Sequence, residues 1–265
     1  MDTSTGKLML KIPKAHRHPI NKLCMLTPSL MTTGDDEGLV KLWDMRTNKV
    51  AQEYHSHDDF VADILFSESA SSLVVAGGDG KISVHDIRQA SKASATSDVL
   101  DDELLSLSLV KEGKQLIAGS QSGALYLWKW GEWTAAEDKW IGHPSSVDTM
   151  CKLDDQAICT GGSDGLLRLV SLEPHRFEGI LGDHGEDFPI ERVRLAHDQR
   201  YLGSCGHDMR IQFWDVAFLF DDENSKDSMT FNEGIKRSAG DDKGNDQEPP
   251  GKRVKKPHGD FFGDL

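Results

Sequence analysis

Five stretches of this chain can be laid over one another. They are TGDDEGLVKLWD ending at Asp44, GGDGKISVHD ending at Asp86, GSQSGALYLWK ending at Lys129, GGSDGLLRLVS ending at Ser171 and CGHDMRIQFWD ending at Asp215. Their ends lie 42, 43, 42 and 44 residues apart. A fixed period constrains the fold strongly, because each unit is one supersecondary module that buries its apolar face only by stacking on its neighbours. Six positions before each end stand Gly38, Gly80, Gly123, Gly165 and Met209, preceded by Glu37, Asp79, Ser122, Asp164 and Asp208. An acidic residue followed by Gly marks a tight hairpin, since Gly tolerates positive φ and Asp bonds its own backbone. Beyond the turn, Leu39, Lys41 and Trp43 point one way and Val40, Leu42 and Asp44 the other, as in a strand. Upstream, His18, His57, His143 and His184 open units, and apolar runs such as 147–150, 190–195 and 73–76 follow. Each unit therefore holds about three strands and an outer one.

Five such matches in register resemble the WD40 repeat family. The resemblance implies an all-β fold, a β-propeller of four-stranded blades around a channel. It also implies a hydrogen-bonded tetrad of opening His, second-strand Ser or Thr, turn Asp and Trp, which in the last unit would be His184, Ser204, Asp208 and Trp214. Trp is replaced by His85 and by Val170 in two units, which should lack the full network. The recurrence of these His and Asp residues at the same repeat positions is what a scaffold requires, so they are read as structural, with no metal or catalytic role.

Five units reach from about residue 5 to Asp215, two short of the seven-bladed ring common in the family. The alternating stretch Gly6-Lys7-Leu8-Met9-Leu10-Lys11-Ile12 reads as an outer strand. Either the chain is an amino-terminally shortened form of a seven-bladed ring, which is favoured, or five blades close and residues 6–12 complete the last. An open arc would expose unpaired edges at both ends.

Charge and hydropathy narrow the function. The net charge is −14, which argues against a whole-domain phosphate-binding surface. No apolar run approaches a membrane span, and the first eleven residues lack a signal peptide's apolar core. Cys24, Cys151, Cys159 and Cys205 form no C-x-x-C pair and read as reduced thiols of an intracellular protein. No nucleophile elbow, H-E-x-x-H, P-loop or dinucleotide fingerprint is present, and the paired acids Asp35-Asp36 and Asp154-Asp155 fall at turns. The expectation is a non-enzyme without cofactor, membrane or small-molecule substrate.

The propeller region is assigned to residues 1–220, with 216–220 packing against the last blade, and residues 221–265 to a disordered tail. Eight Lys or Arg stand there against eleven Asp or Glu, and the aliphatics are only Ile235, Val254 and Leu265. Such a segment buries too little apolar area to offset ordering entropy. Lys252, Arg253, Lys255 and Lys256, with Lys236 and Arg237 upstream, suit the groove of a nuclear import receptor. The final Gly259-Asp260-Phe261-Phe262-Gly263-Asp264-Leu265 suggests a docking peptide.

The stretches Thr33-Gly34-Asp35-Asp36, 158–165 and 206–215, with the late Asp-Phe-Phe, are similar to the WD repeat-containing protein 55 family. That resemblance implies a nuclear and nucleolar protein linked to ribosomal RNA synthesis and processing. A protein-interaction scaffold binding pre-ribosomal factors follows, with direct RNA contact and a cytoplasmic pool left open. The alternative is a substrate receptor of a cullin-four ubiquitin ligase. Trp43-Asp44-Met45-Arg46 resembles the W-D-x-R motif that docks on the ligase adaptor, and Asp86 and Arg88 form a partial second copy.

Overall fold

A computed structural model describes residues 4–8, 10–89, 93–185 and 188–220. Each repeat becomes one antiparallel sheet. Blade 1 holds β1 (Ile20–Thr27), β2 (Leu30–Asp35), β3 (Leu39–Asp44) and β4 (Lys49–His55). Blade 2 holds β5 (Val61–Ser67), β6 (Ser72–Gly77), β7 (Ile82–Asp86) and β8 (Ala95–Thr96). Blade 3 holds β9 (Leu104–Val110), β10 (Gln115–Ser120), β11 (Ala124–Lys129) and β12 (Asp138–Ile141). Blade 4 holds β13 (Thr149–Lys152), β14 (Ala157–Gly161), β15 (Leu166–Leu172) and β16 (His175–Asp183), and blade 5 holds β17 (Ile190–Leu195), β18 (Tyr201–Gly206) and β19 (Ile211–Asp215). The innermost strands β1, β5, β9, β13 and β17 pack successively and surround a central funnel of about 660 Å³. This is a five-bladed β-propeller.

The core is divided into four layers, one between each pair of consecutive blades, because both faces of an interior blade are apolar. Val40, Leu42 and Tyr54 of blade 1 meet Ile64 and Leu73 of blade 2. Ile82 and Val84 meet Leu107, Leu116 and Trp128. Leu125 and Leu127 meet Met150 and Ile158, and Leu167 and Leu169 meet Val193 and Leu202. Each fully buried aliphatic contributes roughly 1.5–3 kcal/mol of transfer free energy. Val216 is buried in the fourth layer, and Phe218, Leu219 and Phe220 pack against it around a short 3-10 turn.

The turn between second and third strands also joins the blades. Gly38, Gly80, Gly123 and Gly165 have φ of 78°, 73°, 84° and 77°. A Cβ on each would lie 2.3–2.5 Å from a backbone oxygen in the loop that opens the next blade: His57, Leu100, Ser145 and Gly185 in turn. Met209 takes the fifth position at φ 60° and is 96% exposed, with no opening loop against it.

Among the described residues blade 5 has three strands, and those of the amino-terminal stretch do not supply a fourth. Residues 6–8 and 10–12 are not strand, and all but Ile12 are exposed, which corrects the expectation that 6–12 form an outer strand. The stretch does alternate, but among the described residues no strand pairs with it. The seam between blades 5 and 1 is open outward. Ile211 and Phe213 are each 72% exposed, whereas their counterparts Val40, Leu42, Ile82, Val84, Leu125, Leu127, Leu167 and Leu169 are buried. On the facing blade Leu23 and Met25 are 55% and 54% exposed.

Candidate interaction surface

The opening loops and turns are held by polar networks. In blade 5, His184 Nδ1 lies 2.9 Å from Asp208, His184 Nε2 lies 2.7 Å from Ser204 Oγ, and Trp214 Nε1 donates to the same Oγ at 2.8 Å. The chemistry fixes the direction of each bond. Indole N–H donates to the hydroxyl, the hydroxyl donates to neutral Nε2, and Nδ1–H donates to the carboxylate. Blade 1 holds a second complete tetrad, built from His16, Thr33, Asp35 and Trp43 with contacts of 2.7–2.8 Å. Its histidine is His16 and not His18, which is half exposed beside Glu37. The two lie two residues apart in a loop, so sequence spacing did not separate them. The turn acid is likewise Asp35, whose Oδ1 accepts from Glu37 N and Leu39 N.

Blade 2, expected to lack the full network for want of a Trp, builds a four-membered one with other residues. His57 Nδ1 lies 3.0 Å from Asp79, His57 Nε2 lies 2.8 Å from Ser83 Oγ, and that Oγ lies 2.9 Å from His85 Nε2. His85 acts as the N–H donor in place of indole, and a third-strand Ser replaces the second-strand one. Burial and then neighbouring His57 lower the His85 pKa to about 4, which keeps the ring neutral for this role. Burial alone would raise the carboxyl of Asp79, but hydrogen bonds led by His57 hold it well below the usual range. In blade 4, Arg168 captures Asp164 at 2.5 and 3.1 Å, and His143 Nε2 pairs with Thr160 Oγ1 at 2.9 Å while the carboxylate is held by the guanidinium. In blade 3 Leu100 stands at the His position, its N–H on Gly80 O as that of His184 is on Gly165 O, and Asp102, two residues on, accepts from Ser122 and Tyr126.

A second periodic set escaped the sequence reading. Lys22, Asp63, Ser106, Thr149 and Arg192 occupy one position in each innermost strand, 41–43 residues apart. Each of the first four bonds the next blade. Lys22 Nζ meets Asp63 at 2.5 Å, Asp63 accepts from Leu107 N, Ser106 donates to Val147 O, and Thr149 accepts from Val193 N. Arg192 donates to its neighbour's carbonyl, at Glu191. A polar residue recurring at one position inside otherwise apolar strands was the signal available.

At the opposite end of the blades, two acid–base pairs repeat one geometry. Arg46 Nε and a terminal nitrogen donate to Asp44 at 3.1 and 3.0 Å, and Arg88 does the same to Asp86 at 2.9 and 2.8 Å. The guanidinium bonds hold both carboxyls at about 2. The side chains of Arg46 and Arg88 are 76% and 69% exposed, while Trp43 is buried in the tetrad. Lys236, Arg237, Lys252, Arg253, Lys255, Lys256 and the late Phe pair lie outside the described residues. The four cysteines are free thiols. Among the described residues no cluster of His, Cys, Asp and Glu is placed to hold a metal ion, and no helix is long and apolar enough to cross a membrane.

The WDR55 family model matches residues 1–219. The chain belongs to the WDR55 family. Similar relatives include WD repeat-containing protein 55 of Arabidopsis thaliana, 35% identical over 84% of this chain and 63% of that protein. WD repeat-containing protein JIP5 of Cryptococcus neoformans is 37% identical over 84% and 60%. WD repeat-containing protein 55 of Homo sapiens is 34% identical over 83% and 57%. The chain thus spans about three-fifths of the length of these WDR55 relatives. The family match runs through all five blades and stops one residue before Phe220, the last described residue.

Proposed function

We propose that this WDR55-family chain is a non-enzymatic interaction scaffold of the nucleus and nucleolus, acting in ribosomal RNA synthesis or processing. Family membership over residues 1–219 is the observation that carries the reading. The polar groups fit it: the buried His, Asp and Ser side chains satisfy one another and tie turns to opening loops, which presents rigid loops to partners. Its partners would be pre-ribosomal proteins, and RNA contact would pass through them or be direct. The basic cluster at 252–256 would deliver the chain to the nucleus.

The repeated rim pairs favour a second reading. Asp44–Arg46 and Asp86–Arg88 present two equally oriented, exposed guanidinium groups whose geometry is already fixed by a carboxylate. Preorganisation of this kind lowers the entropic cost of docking, as a ligase adaptor would require. Affinity capture of the full chain from nuclear extract separates the two. Pre-ribosomal factors without adaptor support the scaffold; adaptor with cullin supports the ligase receptor; neither set removes both.

A further inference from the structure

Blade 3 departs from blades 1 and 2 where those carry Asp-x-Arg. Its repeat ends in Lys129-Trp130-Gly131, and Trp133 follows in the connection to β12. Four of the six tryptophans of the chain thus fall between residues 128 and 140, which concentrates aromatic area in one interior blade. One residue past each of the other repeat ends stand Met45, Ile87, Leu172 and Val216. Leu172 and Val216 are buried, so an aliphatic side chain closes the end of a layer, and an indole is larger than that task needs.

Trp130 and Trp133 meet edge to face with ring centroids 4.9 Å apart. They pack against the layer between blades 2 and 3, as Leu65 and Ala95 do from blade 2. Trp130 N donates to Lys114 O beside the β9–β10 hairpin, and Ile87 N donates in the same way to Ser71 O beside the β5–β6 hairpin. The tryptophan pair and Arg88 therefore lie at one end of neighbouring blades. Both tryptophans are partly exposed. The indole N–H of Trp128 is buried; those of Trp130 and Trp133 are not, and among the described residues no acceptor pairs with either. Arg88 gives two of its five N–H groups to Asp86, and Arg46 gives two to Asp44. This end of the blades offers hydrogen-bond donors beside aromatic surface.

A nucleic-acid backbone matches that surface poorly. Lys111, Lys114 and Lys129, at the same end of blade 3, are paired with Glu173, Glu112 and Glu132. A run of phosphates would meet as many carboxylates as ammonium groups there, whereas phosphate binding needs a positive track. A protein segment needs a carboxylate at the arginine and an apolar side chain at the indoles. Trp and Arg are the residue types on which interface energy concentrates, and Asp86 already orients the guanidinium.

We propose that this end of blades 2 and 3 binds an acidic protein segment, with a carboxylate on Arg88 and an apolar side chain against the Trp130–Trp133 pair. The two indole N–H groups take backbone carbonyls of the segment, and Arg46 extends the surface by one blade. The site belongs to the chain under either functional reading, and its tryptophans lie outside the Asp-x-Arg motif.

The full chain labelled with 5-fluorotryptophan gives one fluorine resonance per tryptophan. Trp130→Phe and Trp133→Phe identify two of them. The probe is a synthetic hexapeptide that alternates leucine with glutamate; a version with lysine for glutamate and an oligouridylate are the comparisons. The acidic peptide is expected to shift the Trp130 and Trp133 resonances saturably and to leave the other four in place. Arg88→Ala weakens that binding at least about tenfold, the loss of a charge-assisted hydrogen bond, while its unchanged free spectrum shows that the fold is intact. Trp133→Phe keeps a ring but removes an N–H, and weakens binding severalfold. No saturable shift with the acidic peptide overturns the proposal, as does equal affinity of the parent and Arg88→Ala. Shifts with the lysine peptide or the oligouridylate in place of the acidic peptide overturn it in favour of a different partner chemistry. Shifts on concentrating the chain alone overturn it in favour of a second copy.

Discussion

A β-carbon on Gly165 would stand 2.3 Å from the carbonyl oxygen of Gly185, in the loop that opens the following blade. The φ of 77° at Gly165 is itself costly for a side chain. The two constraints act together: the turn of one blade is the seat of the next. Gly165→Val is therefore expected to destabilise the propeller by about 1–3 kcal/mol or more, with a lowered melting midpoint. Met209→Gly is the control. Met209 is 96% exposed among the described residues, so its midpoint should move little. Equal behaviour of the two variants would rule out the seating role.

The two histidines of the first loop make a sharper comparison. His16 joins Asp35 and Thr33 and is almost wholly buried, whereas His18 is half exposed. His16→Ala removes two hydrogen bonds and orphans buried partners, each costing about 1–3 kcal/mol. His18→Ala is expected within about 0.5 kcal/mol of the parent. Urea unfolding of both variants reads the difference, and a larger effect at His18 would show that the blade 1 tetrad is assigned to the wrong residue.

Acid should weaken the fold before the carboxylates titrate. Burial, with Arg168 close by, lowers the His143 pKa to about 4, and His85 also sits at about 4. The unfolded chain binds their protons near pH 6.5 and the folded chain does not until about pH 4. Their contribution is complete above pH 6.5 and is lost as pH falls toward 4, at no more than about 1.4 kcal/mol per pH unit for each. His85→Gln with His143→Gln should flatten the dependence of unfolding free energy between pH 6.5 and 5. An unchanged slope over that range would assign the sensitivity elsewhere.

Arg46→Ala leaves the melting midpoint where it is, because the side chain extends into solvent from the blade edge. If the adaptor reading holds, the same change weakens binding to purified adaptor roughly ten- to hundredfold, the range for a charge-assisted hydrogen bond. A parent chain that does not bind adaptor at all removes the ligase reading and leaves the scaffold.

Alanine at Lys252, Arg253, Lys255 and Lys256 is expected to move a fluorescent fusion from nucleus to cytoplasm, since the cluster supplies the charge that an import receptor reads. The fusion must be large enough to prevent passive passage. Undiminished nuclear enrichment would place import in another segment or in a carried partner.

Period, turn chemistry and alternation were all local, and the sequence by itself determined them. A 42–44 residue repeat with Gly at one fixed offset in four of its five units specifies hairpins that cannot be stable alone, and so a stack of blades. His184, Ser204, Asp208 and Trp214 could be named because their spacing in one unit follows the family pattern. The tertiary structure decided what depends on distance through space. Whether His16 or His18 enters a tetrad turns on a loop path that residue order does not specify. Arg168 takes Asp164 from His143 because a longer, charged donor four residues away outcompetes a neutral ring. His85 stands in for Trp because its Nε2 reaches a hydroxyl on its own strand. The alternating residues 6–12 satisfy a strand's local rule, yet the described ones pair with no strand, since a strand exists only where a neighbour pairs its backbone. The exposure of Ile211 and Phe213 follows from the same cause: their pattern is that of a buried strand, and burial belongs to the blade that packs against it.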